Sequence, residues 1–109
     1  MLKSLEELVN IIRARKSASP DKSYTKQLLN DKKLCTAKVK EELKELLEAI
    51  KHGKEEDELT KDFQNKEAAD LLYHLFVLLE ANNIKIEDVM NELQARQTAS
   101  GLEEKFNRG

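Results

Sequence analysis

The chain has 109 residues, enough for one domain with a modest core and not for two. Gly is 3, Pro is 1 and Trp is 0, Leu, Glu, Lys and Ala dominate, and 37% of residues are charged, so the composition predicts a helical protein with an ionic surface. Net charge is −2 but divided, with 10 Lys/Arg against 4 Asp/Glu in residues 1–40 and 9 against 17 in the remainder; no dense basic stripe with interleaved aromatics is present, which argues against a nucleic-acid partner.

The charge division reads either as two solvated faces that attract each other or as a basic segment holding an anion above an acidic site. Cys35 is the only cysteine, so an internal disulfide and a cysteine zinc cluster are both excluded, and a reducing, cytoplasmic setting is expected. No segment approaches the roughly 20 apolar residues of a membrane span. The amphipathic N-terminus "MLKSLEELVNIIRARK" has no apolar signal-peptide core.

Helices and short joints follow in order. Ser4 with Glu7 matches a capping box, and Leu5, Leu8, Val9 and Ile12 follow at helical spacing, predicting a first helix that ends near Arg15 or Lys16. "SASPDKS" is a loop, and "SYTKQLLN" a short helix or turn with Ser23 as its cap. "DKKLC" reads as a polar joint, after which Thr36 caps a helix from Ala37 to "KHG", where Gly53 stops it. A long helix is expected from about Leu59 to Ala81, stopped by Asn82 and Asn83. "IEDVMNELQAR" is a fourth main helix with Val89, Met90 and Leu93 inward. The expectation is an all-α bundle of four main helices over residues 1–96, with residues 97–109 a tail of the same domain. The long helix is apolar all round and needs more cover than its own chain supplies, which predicts a homodimer.

The acids carry the chemistry. At about 100° per residue, Val39, Leu43, Leu46, Leu47 and Ile50 share one face of their helix, with Glu42, Glu45 and Lys38 on its shoulder and Glu41 further out. From Ala68 to Leu79 the only ionisable groups are Asp70, Tyr73 and His74, and Glu67, Asp70 and His74 lie on one line. Buried carboxylates that repel one another must be solvated, protonated or share a cation. If Glu42, Glu45, Glu67 and Asp70 meet, their all-oxygen donor set suits Mg²⁺, or Mn²⁺, and such an ion commonly serves substrate phosphates. The histidines stand four residues after an acid, as Glu48 to His52 and Asp70 to His74, which is not the di-iron spacing.

Glu41, Glu42 and Glu45, then about 21 residues, then Glu67 and Asp70, resemble the motif of the MazG-like all-α nucleotide pyrophosphohydrolases. "RKSASPDKSYTKQLL", "KVKEELKELLEAI", "EAADLLYHLFVLL", "IEDVMNELQAR" and "SGLEEKFNR" together resemble the phosphoribosyl-ATP pyrophosphohydrolase family of histidine biosynthesis, from about residue 5 to the C-terminus. Lys40 and Leu43 depart from it, where Gly and a smaller residue are expected. The cyclohydrolase domain often fused to this family has no counterpart in the chain.

The resemblance implies Mg-dependent cleavage of phosphoribosyl-ATP to phosphoribosyl-AMP and pyrophosphate by a dimer. It makes Glu42, Glu45, Glu67 and Asp70 the metal ligands and Glu41, Glu42 and Glu45 the catalytic candidates; Glu41 is either a water-orienting acid or a surface acid. Arg15, Lys16, Lys22, Lys26 and Lys38 are the cations that could reach phosphate, and Lys38 alternatively makes a one-turn bridge to Glu42. Ser23, Tyr24 and Thr25 offer hydroxyls and an aromatic face to substrate, or else form a cap and a core tyrosine. His74 touches phosphate or the metal's surroundings, or is a satisfied core histidine. The alternatives are a house-cleaning nucleoside triphosphate pyrophosphatase with the same motif and a non-catalytic helical dimerisation module.

Overall fold

In a computed structural model, residues 2–97 are described and form five α-helices with no strand among them. They are α1 (Lys3–Ala14), α2 (Tyr24–Asn30), α3 (Lys32–His52), α4 (Glu58–Ala81) and α5 (Ile86–Arg96), and a 3-10 turn, Arg15–Ser17, extends α1. The all-α expectation holds, with the short "YTKQLLN" segment adding a true helix to the four main ones. Most of the expected tail, residues 98–109, lies outside the described residues.

Local capping explains where the expected boundaries moved. The Ser4–Glu7 box is not used, because α1 already begins at Lys3 behind Leu2 and has no side-chain cap. Ser23 does cap α2, its hydroxyl accepting from the Lys26 amide at 3.1 Å. Asp31 ends α2 and starts α3, its carboxylate accepting from the Leu34 amide at 3.0 Å. The "DKKLC" joint is therefore cap and first turn. Thr36 is inside α3, donating back to the Lys32 carbonyl at 2.8 Å, as a mid-helix threonine does. Gly53 closes α3, and a Cβ there would stand 2.4 Å from Thr60 Cγ2 and 2.8 Å from the Ala49 carbonyl, so the α3–α4 turn is packed against its glycine. α4 stops as expected, with Asn83 left-handed at φ 58°.

α4 is the central element, touching α1, α2, α3 and α5. The core lies around its C-terminal half: Val9 and Ile12 of α1, Leu28 of α2, Cys35 of α3, and Phe76 and Val77 of α4. Beyond that core, α3 and α4 continue as an antiparallel pair. There α3 is turned roughly a quarter revolution, at 100° per residue, from the expected orientation. Cys35, Glu42 and Ala49 are the buried positions, while Leu43, Leu47 and Ile50 face outward at 44%, 56% and 56% exposure. Leu59 and Phe63 of α4 are exposed as well. α5 also departs from expectation: none of its residues is buried, Val89 is half-buried, and Met90 and Leu93 are exposed, because α5 packs chiefly on the end of α4. The radius of gyration is 16.4 Å, against about 13 Å for a compact domain of 100 residues. No helix among the described residues is long and apolar enough to cross a membrane.

Candidate metal centre

The quarter turn of α3 delivers its acidic shoulder to α4. Glu42 of α3 and Glu67 and Asp70 of α4 bring one carboxylate oxygen each to within 4.8 Å of one another. Glu42 is buried, Glu67 half-buried, and Asp70, although it stands in the most apolar stretch of the four acids, is exposed at the open edge. Glu45, one turn after Glu42, is exposed and close enough to act on both Glu42 and Glu67.

Two oxygens, Glu42 Oε2 and Glu67 Oε2, are buried with no hydrogen-bond partner among the described residues. Ionised carboxylates cannot donate to each other, so their proximity supplies no relief. Burial is the first cause that raises the Glu42 carboxyl above its ordinary range, followed by the charge of Glu45 and then Asp70. Glu67 is raised in the same way, by desolvation, then by Glu45, Asp70 and Glu42. An oxygen-only donor set with orphaned, mutually repelling acceptors fits a hard divalent cation.

One cation already borders the cluster. Lys38 Nζ lies 2.9 Å from Glu41 Oε2 and 3.7 Å from Glu42 Oε1. The Glu41 hydrogen bond holds the Lys38 ammonium above its usual pKa. The other expected cations are not gathered there. Arg15 is exposed on the 3-10 turn. Lys16 is held by Glu80 at 3.0 Å, ten residues and roughly 15 Å along α4 from Asp70. Lys22 is exposed, and Lys26 Nζ donates to the Lys16 carbonyl.

The polar atoms of Ser23, Tyr24, Thr25 and His74 all have partners within the protein. Ser23 caps α2, the Tyr24 hydroxyl bonds His74 Nε2 at 3.0 Å, and the Thr25 hydroxyl bonds the Tyr73 hydroxyl. His74 Nδ1 bonds the Asp70 carbonyl at 2.7 Å.

A charged network at the other end of α4 was not anticipated. Arg13 Nε donates to buried Glu80 at 2.8 Å, and its other nitrogens bond Glu87 at 2.8 and 2.6 Å. Glu80 was its one visible signal, an acid at the end of the apolar run "LFVLLE". A groove of about 900 Å³ opens between α3 and α4 beside Glu45 and Glu67, walled by Phe63, Leu59 and Ala49. That volume lies within the range of small-molecule sites.

Comparison with known proteins gives a consistent answer. Residues 5–97 match the family model of phosphoribosyl-ATP pyrophosphohydrolase. Proteins named phosphoribosyl-ATP pyrophosphatase are similar over nearly the whole chain. One from Cereibacter sphaeroides is 40% identical, covering 96% of this chain and 97% of its own. One from Jannaschia sp. is 42% identical, covering 95% and 97%, and one from Paracoccus denitrificans is 41% identical, covering 95% and 92%. No solved structure gives a significant match. The acidic residues that converge in space lie within the matched region, and the chain belongs to the phosphoribosyl-ATP pyrophosphohydrolase family.

Proposed function

We propose that this chain is a hydrolase that cleaves phosphoribosyl-ATP to phosphoribosyl-AMP and pyrophosphate, the second step of histidine biosynthesis. The observation that carries the reading is the meeting of Glu42, Glu67 and Asp70 within 4.8 Å, with two orphaned buried oxygens, in a chain of this family. The reaction adds water across one phosphoanhydride: hydroxide goes to one phosphorus, and the bridging oxygen leaves with the other phosphoryl group.

Glu42, Glu67 and Asp70, with Glu45 beside them, would hold Mg²⁺ or Mn²⁺. Such an ion offsets phosphate charge and lowers the pKa of a bound water. Glu45, exposed at the rim of the cluster, would accept a proton from the attacking water while Glu42, Glu67 and Asp70 hold the ion. Glu41 acts one step further out, through Lys38. Lys38 is the phosphate contact best supported by position, while Arg15, exposed on the 3-10 turn, would serve a more distant part of the substrate. Lys16 can contribute only by leaving Glu80.

The functional unit in this reading is a homodimer. Leu43, Leu47 and Ile50 form an outward apolar stripe that the described residues do not cover, and burying it in a second copy removes about 25 cal/mol of unfavourable exposure per Å². A cytoplasmic setting agrees with the free, buried thiol of Cys35.

The test is a substrate panel followed by pyrophosphate release, with and without Mg²⁺. Phosphoribosyl-ATP should be turned over far more efficiently than ATP, dUTP or dCTP, and chelator should stop the reaction while leaving the helical signal intact. Comparable efficiency on a common nucleotide would assign the site to house-cleaning hydrolysis. Absence of any release would leave only the dimerisation module.

A further inference from the structure

Two consecutive residues of α2, Tyr24 and Thr25, meet two consecutive residues of α4, Tyr73 and His74. The Thr25 and Tyr73 hydroxyls bond each other, and Thr25 is buried. His74 is also buried, and a carbonyl can only accept, so its Nδ1 donates to the Asp70 carbonyl at 2.7 Å. In the neutral ring, Nε2 then accepts from the Tyr24 hydroxyl at 3.0 Å. The rings reinforce the bonds: Tyr73 meets His74 edge-on at 4.9 Å, and Tyr24 lies over Tyr73 at 6.4 Å with 21° between the planes. On its third side, the His74 carbonyl accepts from Cys35 Sγ of α3 at 3.7 Å.

His74 therefore touches every helix that contributes to the candidate site. It bonds the residue that carries the Asp70 carboxylate, and it pins the tyrosine that opens α2. The Tyr24 hydroxyl proton and both nitrogens of the neutral imidazole are engaged within the protein, which leaves these two side chains no donor for a phosphate. What remains available is the ring of Tyr24, 45% exposed, near enough to Lys38 and Glu42 for their charges to act on its hydroxyl.

We propose that Tyr73 and His74 are positioning residues, which hold the exposed Tyr24 ring beside the acidic cluster as a flat wall for the aromatic base of the substrate. The inference rests on the nucleotide reading above and deepens it: the acids take the phosphates, Tyr24 takes the base, and the α2–α4 latch sets the distance between them.

The experiment measures KM, kcat, half-saturating Mg²⁺ and melting temperature for the unchanged protein and for Tyr24→Phe, Tyr24→Leu, His74→Gln and the double variant Tyr24→Phe/His74→Gln, with phosphoribosyl-ATP as substrate. Loss of one such bond should raise KM about fivefold to tenfold, with kcat and half-saturating Mg²⁺ unmoved. Tyr24→Leu, which removes the ring as well, should be worse than Tyr24→Phe. If the two residues act through one bond, the double variant should be no worse than the worse single one. KM values that stay unchanged well below the melting temperature while that temperature falls would overturn the proposal, leaving the latch as scaffold. Singles whose effects multiply in the double variant would overturn it too. No cleavage by the unchanged protein would remove the nucleotide reading and this one together, whereas cleavage with unmoved KM in the variants would remove only the latch.

Discussion

Glu42→Gln separates a metal site from a structural acid by the sign of its effect. Glu42 is 6% exposed, has a carboxylate neighbour on α4 at each of two positions within 4.8 Å, and has one opposing charge, Lys38, at 3.7 Å. Counting the two α4 acids at the 4.8 Å limit against Lys38 at 3.7 Å leaves a net repulsion of about 0.6 kcal/mol at the dielectric of water and about 2.4 kcal/mol at an effective dielectric of 20, to which Glu45 adds. Asp70 is exposed, which places the answer toward the lower end. Gln keeps the size, removes the charge, and brings an amide that can donate to the orphaned Glu67 Oε2. The metal-free variant should therefore be more stable by about 1 kcal/mol, a rise of roughly 4–8 °C in melting temperature for a domain of this size. Its turnover with Mg²⁺ should fall on the order of 100-fold or more, since even residues behind metal ligands are worth 10–100-fold. Thermal melts in chelator and initial rates of pyrophosphate release are the two assays. A variant that melts clearly lower and remains fully active would refute the reasoning, because an acid that stabilises the apo fold and does nothing for turnover is scaffold.

The pH dependence should carry two opposite contributions. Glu42 and Glu67 are raised, so what they contribute is full at or below the ordinary carboxylate range and lost as pH rises through their folded values; acidifying metal-free protein from neutrality toward that range should gain stability from them. Arg13 holds Glu87 down at about 2 and lowers Glu80, so their contribution is present above the ordinary 4.5 and lost as pH falls toward 2, and Arg13→Ala should abolish most of that acid limb in a circular-dichroism titration. At neutral pH, Arg13→Ala should cost about 2 kcal/mol in urea unfolding, since Glu80 keeps only Lys16. Gly53→Ala should cost about 1–3 kcal/mol in the same assay, because its Cβ would stand 2.4 Å from Thr60 Cγ2 and 2.8 Å from the Ala49 carbonyl; an unchanged midpoint would show that the α3–α4 turn can relax.

What the sequence determined by itself is local or periodic. The long helix and its two-asparagine stop, the Ser23 cap, the Gly53 stop and the "IEDVMNELQAR" helix each depend on residues within a few positions of one another, and each is found where expected. The spacing of three that places each acidic pair on one helical face was also legible, whereas the meeting of Glu42 with Glu67 and Asp70 is a tertiary fact. Two Asp31 contacts moved the start of α3, since a cap competes with its neighbours and a sequence shows only the candidates. The rotation of α3 was decided by tertiary structure alone. The face with most leucines is the one a single helix should bury, yet here Cys35, Glu42 and Ala49 are buried and Leu43, Leu47 and Ile50 are turned out. Periodicity specifies a stripe but not what lies across from it, and a buried carboxylate needs a compensating charge that only the tertiary structure can bring, as Arg13 and Lys16 do for Glu80. The same limit hid the Arg13–Glu80–Glu87 network and the Tyr24–His74 bond, whose partners are separated by 67, 74 and 50 residues and meet only because α1 and α2 fold back on α4.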